Sequence, residues 1–256
     1  MTDAHIHIEA RPYTKAWIDR FVHQAVVMKL NEIYLLEHAY RFHEFAPMFD
    51  HVRTYSDDQK DWHARRVGQL KLKQYTDLIT AMREYDFPVR IKWGLEVCYF
   101  PEHETAIKTL AASFPFDFIT GSVHWIDGFG FDHQAAWWNN INVNAAYTRY
   151  YELMIDLVNS GLFSNLAHPD SIKCFGNTTN LDLTETYKQL ADALNRQNMT
   201  AEQNDGLHLN YGHREMGMNA SMLHIFKENN VRIVFASDAH KPEDVGKNIG
   251  RMMADF

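Results

Sequence analysis

Short apolar runs recur along the chain at residues 4–8, 33–36, 89–95, 116–120, 163–167, 207–210 and 232–236. Between them lie longer stretches, 15–29, 65–85, 104–113, 145–160, 183–195 and 220–229, in which apolar residues return every three or four positions. The short runs read as buried strands and the longer stretches as amphipathic helices. Strand and helix alternate, which predicts an α/β fold with a parallel sheet. Seven such repeats without a glycine-rich dinucleotide fingerprint favour a closed barrel over an open sheet. No internal repeat or Gly/Ser/Pro linker divides the sequence, so a single domain over residues 1–256 is expected. Met82, Tyr85, Tyr150 and Met154 fall on helical stripes and read as core. Residues 40–62 and 127–144 fit no period. Loops of that length in a compact domain often serve as lids or binding loops.

Composition narrows the class. Hydrophobic residues make up 46% and charged residues 23%, as in ordinary folded proteins. The net charge is −8, from 25 Lys+Arg against 33 Asp+Glu, and the basic residues form no block. A nucleic-acid backbone or an anionic membrane needs a positive footprint, so neither is an expected partner. No apolar run approaches the roughly 20 residues that cross a bilayer. The first residues, Met1-Thr2-Asp3-Ala4-His5, have neither the basic nor the apolar part of a secretory signal. Cys98 and Cys174 make no disulfide framework. A reducing, cytoplasmic location is expected.

Histidine changes the picture. There are 15, and many fall with carboxylates where the predicted strands end. The first run carries His5-Ile6-His7 and then Glu9; the second is followed by Glu37-His38; the third by Glu96. Further on come Gly121-Ser122-Val123-His124, His168-Pro169-Asp170 and Ser237-Asp238-Ala239-His240. Alternate residues of a strand face the same way, so the two imidazoles of an His-x-His pair can reach one point. In a barrel the C-terminal strand ends open into one mouth. His, Glu and Asp there are donors for Zn, Mn or Fe, and so many donors suit two or three ions. One such pair alone is weak, but coincidence at six strand ends is not. His23, His51, His63, His103, His133, His208 and His224 have no such placement and read as ordinary polar residues.

These motifs, in this order across the whole chain, resemble the polymerase-and-histidinol-phosphatase (PHP) superfamily. Within it, GLEV, GSVHWID, AHPDSIKCFG and SDAH are similar to the monofunctional L-histidinol-phosphate phosphatases of histidine biosynthesis. The resemblance implies a distorted (β/α)7 barrel with a trinuclear metal centre at the C-terminal ends of the strands. It places a first metal on His5, His7, Glu96 and Asp238, and a second on Glu96, His124 and His168. A third falls on His38 and His240. Many members complete that third site with a histidine shortly after His-x-His; here Glu9, Arg11 and Tyr13 stand there instead. Glu9, two residues after His7, is the substitute expected.

The expected reaction is hydrolysis of a phosphomonoester, L-histidinol phosphate, by a hydroxide held between two metals, with Glu96, Asp238 and His240 as the catalytic set. His240, His43 or a metal-held water could protonate the leaving alkoxide. Arg41 and Arg214 are the basic residues placed to grip phosphate with fork-shaped donors. Tyr40, Trp125, Asp127, Glu37 and Asn210 are candidates for the imidazole and amine, with His43 beside them. The competing readings are a phosphoesterase acting on another small phosphorylated metabolite, nucleotide or cyclic phosphate; an amidohydrolase-like barrel, which lacks here a lysine ending a central strand; and a metal-binding module without turnover. Oligomeric state is not readable.

Overall fold

The computed structural model describes residues 1–9 and 12–256; Arg11, weighed above, lies outside them. The strands in chain order are β1 (Thr2–His7), β2 (Glu32–His38), β3 (Arg90–Cys98), β4 (Phe118–Ser122), the short β5 (Trp125–Ile126) and β6 (Phe129–Gly130), β7 (Asn165–Leu166), β8 (Thr200–Asn204) and β9 (Ile233–Ala236). Seven of them pair in the order β1-β2-β3-β4-β7-β8-β9, every pair parallel. The two edges meet just beyond β9: the Asp238 amide donates to the His5 carbonyl at 3.0 Å and the His7 amide to the Ala239 carbonyl at 2.8 Å. The sheet is thus curled nearly shut, the (β/α)7 barrel expected.

Helices α1 (Lys15–Val27), α2 (Asp57–Arg66), α3 (Leu72–Met82), α4 (Glu104–Ala111), α5 (Val143–Asn159), α6 (Thr184–Arg196), α7 (Gly206–Tyr211), α8 (Ala220–Glu228) and α9 (Ile249–Asp255) are strung between and after the strands. Each of the long ones buries one stripe, as Tyr187, Leu190, Ala191 and Leu194 do on α6. Their starts are sequence-coded. Thr14, Ser56, Asn142 and Asn219 each accept a backbone N–H two or three residues into the helix, the preferred N-cap chemistry. Among the described residues no helix is long and apolar enough to cross a membrane.

Paired positions on parallel strands share a side, and the register shows what fills the barrel. His38 lies beside Glu96 and Glu96 beside Thr120; Leu36 lies beside Gly94 and Gly94 beside Phe118. A Cβ at Gly94 would sit 2.6 Å from the Phe118 ring, so only glycine lets that ring close the barrel below the polar layer.

Four expectations need correction. The sixth strand is Thr200–Asn204, and residues 207–210 belong to α7. The true strand, Thr-Ala-Glu-Gln-Asn, turns Glu202 and Asn204 into the barrel, so it has no apolar run to find. The helix expected over 65–85 is two helices, α2 and α3, broken at Gly68, whose φ of 67° is left-handed. Tyr85 is not core but half exposed. Residues 40–62 are no loose loop. They form three 3-10 turns and the first part of α2, with Phe42, Phe45, Met48, Phe49 and Val52 buried. Within 127–144, Asp127 and Gly128, both at positive φ, make the tight turn of the β5–β6 hairpin.

Candidate metal centre

Glu96, near the end of β3, is the hub. Its Oε2 lies 3.4 Å from His5 Nε2, 3.4 Å from His7 Nε2 and 3.3 Å from His38 Nε2. Its Oε1 lies 2.8 Å from His124 Nε2 and 3.2 Å from His168 Nε2. Asp238 closes the ring, its Oδ1 3.4 Å from His7 Nε2 and 3.8 Å from His5 Nε2. His7 stacks on His38 and on His240, ring centres 4.0 and 4.3 Å apart. Donor atoms of His5, His7 and Asp238 lie mutually within 4.8 Å, as do those of His38, Glu96 and His124, and those of His7, His38 and His240. All nine residues expected as ligands therefore gather at the C-terminal end of the barrel.

Glu9 faces the same chamber, its carboxylate 3.2 Å from His38 Nδ1 and 3.9 Å from His240 Nε2. That contact turns the other nitrogen of His38 toward Glu96.

Two of the positions expected as ligands bend the backbone. Asp238 has φ 56° and His168 φ 26°, conformations costly for residues with a Cβ and typical of functional sites. Asp3, buried beneath, holds the Asp238 loop in place. Its carboxylate accepts from the Ser237 amide at 2.8 Å, the Ser237 hydroxyl at 2.6 Å and the Gly246 amide at 2.8 Å. Burial pushes its pKa up to about 6, with those hydrogen bonds opposing. Gly206 leans on Asp238 from the other side: a Cβ there would collide with Asp238 Oδ2 and lie 2.8 Å from Asn204 Oδ1. Gly206→Ala is expected to displace the Asp238 carboxylate and weaken metal binding about tenfold. Metal titration of a variant with unchanged circular dichroism checks this.

The donor chemistry fits divalent cations. His5 Nδ1 is committed to Glu202 at 3.0 Å, while its Nε2 faces His7 Nε2 at only 2.9 Å. Two imidazole lone pairs do not approach so closely without a cation or proton between them. Glu96 Oε2 is buried with no hydrogen bond of its own. Burial works against charge on every group here, yet the electrostatics keep the carboxylates ionised. His38, His124 and His168 hold Glu96 well below the usual range despite its burial. His5 and His7 do the same for Asp238. Burial, reinforced by His38 and His240, drives His7 well down, toward the neutral ligating form.

Two supporting carboxylates escape sequence reasoning. Glu202 on β8 anchors His5. Asp132, after the hairpin, sits 2.5 Å from His124 Nδ1 and 2.7 Å from His133 Nδ1. Carboxylates behind ligating imidazoles orient them and raise their basicity.

Above the centre opens a cavity of about 420 Å³, walled by Tyr40, Trp62, Trp125, His133 and Tyr211, with Arg66, Ser122 and Asn210 at its polar positions. Tyr40, Trp125 and Asn210 are thus where a substrate would be. Five other expected substrate contacts are not. Arg41 is drawn aside by Glu37 at 2.6 Å. Glu37 itself points to the opposite face of β2 from His38, where it meets Tyr13 and, mainly through burial, has its pKa pushed up to about 7. His43 and Arg214 are exposed away from the cavity. Asp127 sits on the hairpin turn, paired with Arg149 at 3.1 Å. Among the described residues, the cation that does line the cavity is Arg66, at the end of α2. It was hidden in what looked like one long helix. His133, read as ordinary, also lines it.

Fold and site together define the class: a seven-stranded parallel barrel with a divalent-metal site of histidines and carboxylates at the C-terminal ends of its strands. No model of a known protein family matches the chain. Over 189 residues, 70% of this chain and 70% of the relative, it is 29% identical to a probable histidinol-phosphatase of Deinococcus radiodurans. Its fold is shared by a candidate histidinol phosphatase of Listeria monocytogenes, with TM-score 0.79, 17% identity and coverage of 98% of this chain and 99% of the other. It is shared also by a histidinol phosphate phosphatase of Lactococcus lactis solved with zinc, L-histidinol and phosphate, with TM-score 0.69, 18% identity and coverage of 99% and 92%. These likenesses agree with the PHP resemblance drawn from the motifs.

Proposed function

We propose that this chain is a metal-dependent phosphomonoesterase that hydrolyses L-histidinol phosphate to L-histidinol and phosphate. The observation that carries the reading is the convergence of five imidazoles on one buried carboxylate, Glu96, at the floor of an open, aromatic-walled cavity. The likeness to a relative named for this activity, and to a structure that holds histidinol and phosphate, supports the substrate.

His5, His7, Glu96 and Asp238 would hold one ion, Glu96, His124 and His168 a second, and His38 and His240 with Glu9 a third. Zn, Mn and Fe all suit these donors. Bound ions supply Lewis acidity toward phosphoryl oxygens and make water acidic enough to attack at neutral pH. The protein's own groups do the rest. Arg66 offers a planar fork of donors to the phosphate. Trp62, Trp125 and His133, with ring centres 4.4 to 4.9 Å apart, form a wall against which a flat imidazole can stack. Of the two histidines expected as proton donors to the leaving alkoxide, His240 lines the cavity and His43 does not. The His240 side chain is 37% exposed against 14% for His38 and 18% for His124, so it faces where the alcohol would leave. Two buried, unpaired cysteines fit a cytoplasmic enzyme.

Phosphate release from L-histidinol phosphate, beside p-nitrophenyl phosphate, a cyclic nucleotide and short single-stranded DNA, tests the reading. The expected result is kcat/KM for histidinol phosphate at least ~100-fold above the others, about 2.7 kcal/mol of discrimination. Comparable slow turnover of every monoester would move the substrate elsewhere. No turnover by metal-loaded protein would sink the enzymatic reading. Arg66→Ala is expected to raise KM about tenfold with a smaller effect on kcat, the loss of one charge-assisted contact; steady-state kinetics on the wild type and this variant check this.

A further inference from the structure

A second set of metal-type donors converges outside the barrel mouth. His51 follows the 3-10 turn Ala46–Phe49 between β2 and α2; Glu102 and His103 end the turn Pro101–His103 after β3. These segments are far apart in sequence, yet one donor atom from each of the three residues lies within 4.8 Å of the other two. The rings are held from behind. Phe100, buried, packs edge-on against both imidazoles, with centroids 4.7 Å from His51 and 6.2 Å from His103. Glu102 is exposed and the histidines half-buried, so an ion has access from solvent.

We propose that His51, Glu102 and His103 bind one transition-metal dication of the zinc type, separate from the main centre. Two imidazoles and a carboxylate, with positions left for water, suit Zn(II) or Ni(II) and not Mg or Ca, which prefer all-oxygen shells. The site would pin the β2–α2 segment to the loop after β3. That segment supplies Tyr40 to the cavity wall and leads directly into α2, which carries Trp62 and Arg66. It is already tied to the hairpin by Gln59, which donates to the Val52 carbonyl at 3.2 Å and the Gly128 carbonyl at 2.7 Å and accepts from the Gly130 amide at 3.0 Å. An ion between His51 and the other two donors adds a strut from a third direction.

Zinc content under equilibrium dialysis against micromolar zinc, with the main centre loaded beforehand, is the test. Wild-type protein is expected to hold one zinc per chain more than Glu102→Gln or His103→Ala, and crystals of wild type to show an anomalous zinc peak among the three side chains. Glu102 is exposed, so its replacement removes a donor without threatening the fold. Equal zinc content in wild type and Glu102→Gln, or no anomalous peak at these side chains, would overturn the proposal whatever the substrate of the main site.

Discussion

Glu96→Gln is expected to lower turnover by at least ~10³-fold, the scale on which lost transition-state electrostatics act, and to reduce the bound metal. Gln keeps the volume and shape of Glu and removes only its charge and half its acceptor capacity. The position tolerates neither loss. Both carboxylate oxygens face imidazoles, three around Oε2 and two around Oε1. An amide nitrogen placed in either position would turn its own hydrogens toward those imidazoles where a shared anion is required. The residue also lies between the donors expected for separate ions, so one substitution reaches more than one of them. Metal analysis and phosphate release on the same preparation decide the matter. A variant that holds wild-type metal and retains wild-type kcat would place the chemistry elsewhere in the molecule.

What was legible in the sequence follows from which side of each strand carries the signal. His5 and His7 stand at alternate positions of the otherwise apolar run 4–8, and the outer residues, Ile6 and Ile8, pack into the core. There the hydrophobic pattern located the strand and the interruptions located the site. His38 and Glu96 likewise lie near the ends of β2 and β3, and Asp238 follows β9. β8 has only Ala201 as a buried apolar residue within it, and its inward side chains are Glu202 and Asn204. Here the polar core of the barrel erased the pattern that marks a strand. The run Leu207–Asn210, apolar enough to be mistaken for it, is the short helix that delivers Asn210 and Tyr211 to the cavity. Substrate contacts were the least legible. Arg41 and Arg66 look alike in sequence. Only packing shows that Glu37, facing away from the site, takes Arg41 out of it, and that the break at Gly68 leaves Arg66 at a helix end over the cavity.

The cost of missing β8 is measured by Glu202, which supports the centre from behind. Its side chain is fully buried, and every partner is a donor. His5 Nδ1 lies at 3.0 Å, Asn165 Nδ2 donates at 2.6 Å, Asn204 Nδ2 at 2.8 Å and the His168 amide at 3.2 Å. The residue therefore joins two of the histidines expected as ligands, one on β1 and one just after β7, and, through His5, fixes which nitrogen faces the proposed metals. Glu202→Gln brings an NH2 group into a shell with no acceptor for it. One donor must lose its partner, and the new N–H finds none. Burying such unpaired groups costs about 1–3 kcal/mol each, and losing the support behind a metal-ligating histidine costs roughly 10–100-fold in metal affinity. The expected result is a lower denaturation midpoint together with weaker metal binding, with KM for the substrate nearly unchanged once metal is saturating. Chemical denaturation and metal titration separate the two effects. Wild-type metal affinity in a folded Glu202→Gln protein would show that His5 is held by the barrel backbone alone and that the carboxylate behind it serves only to satisfy the two asparagines.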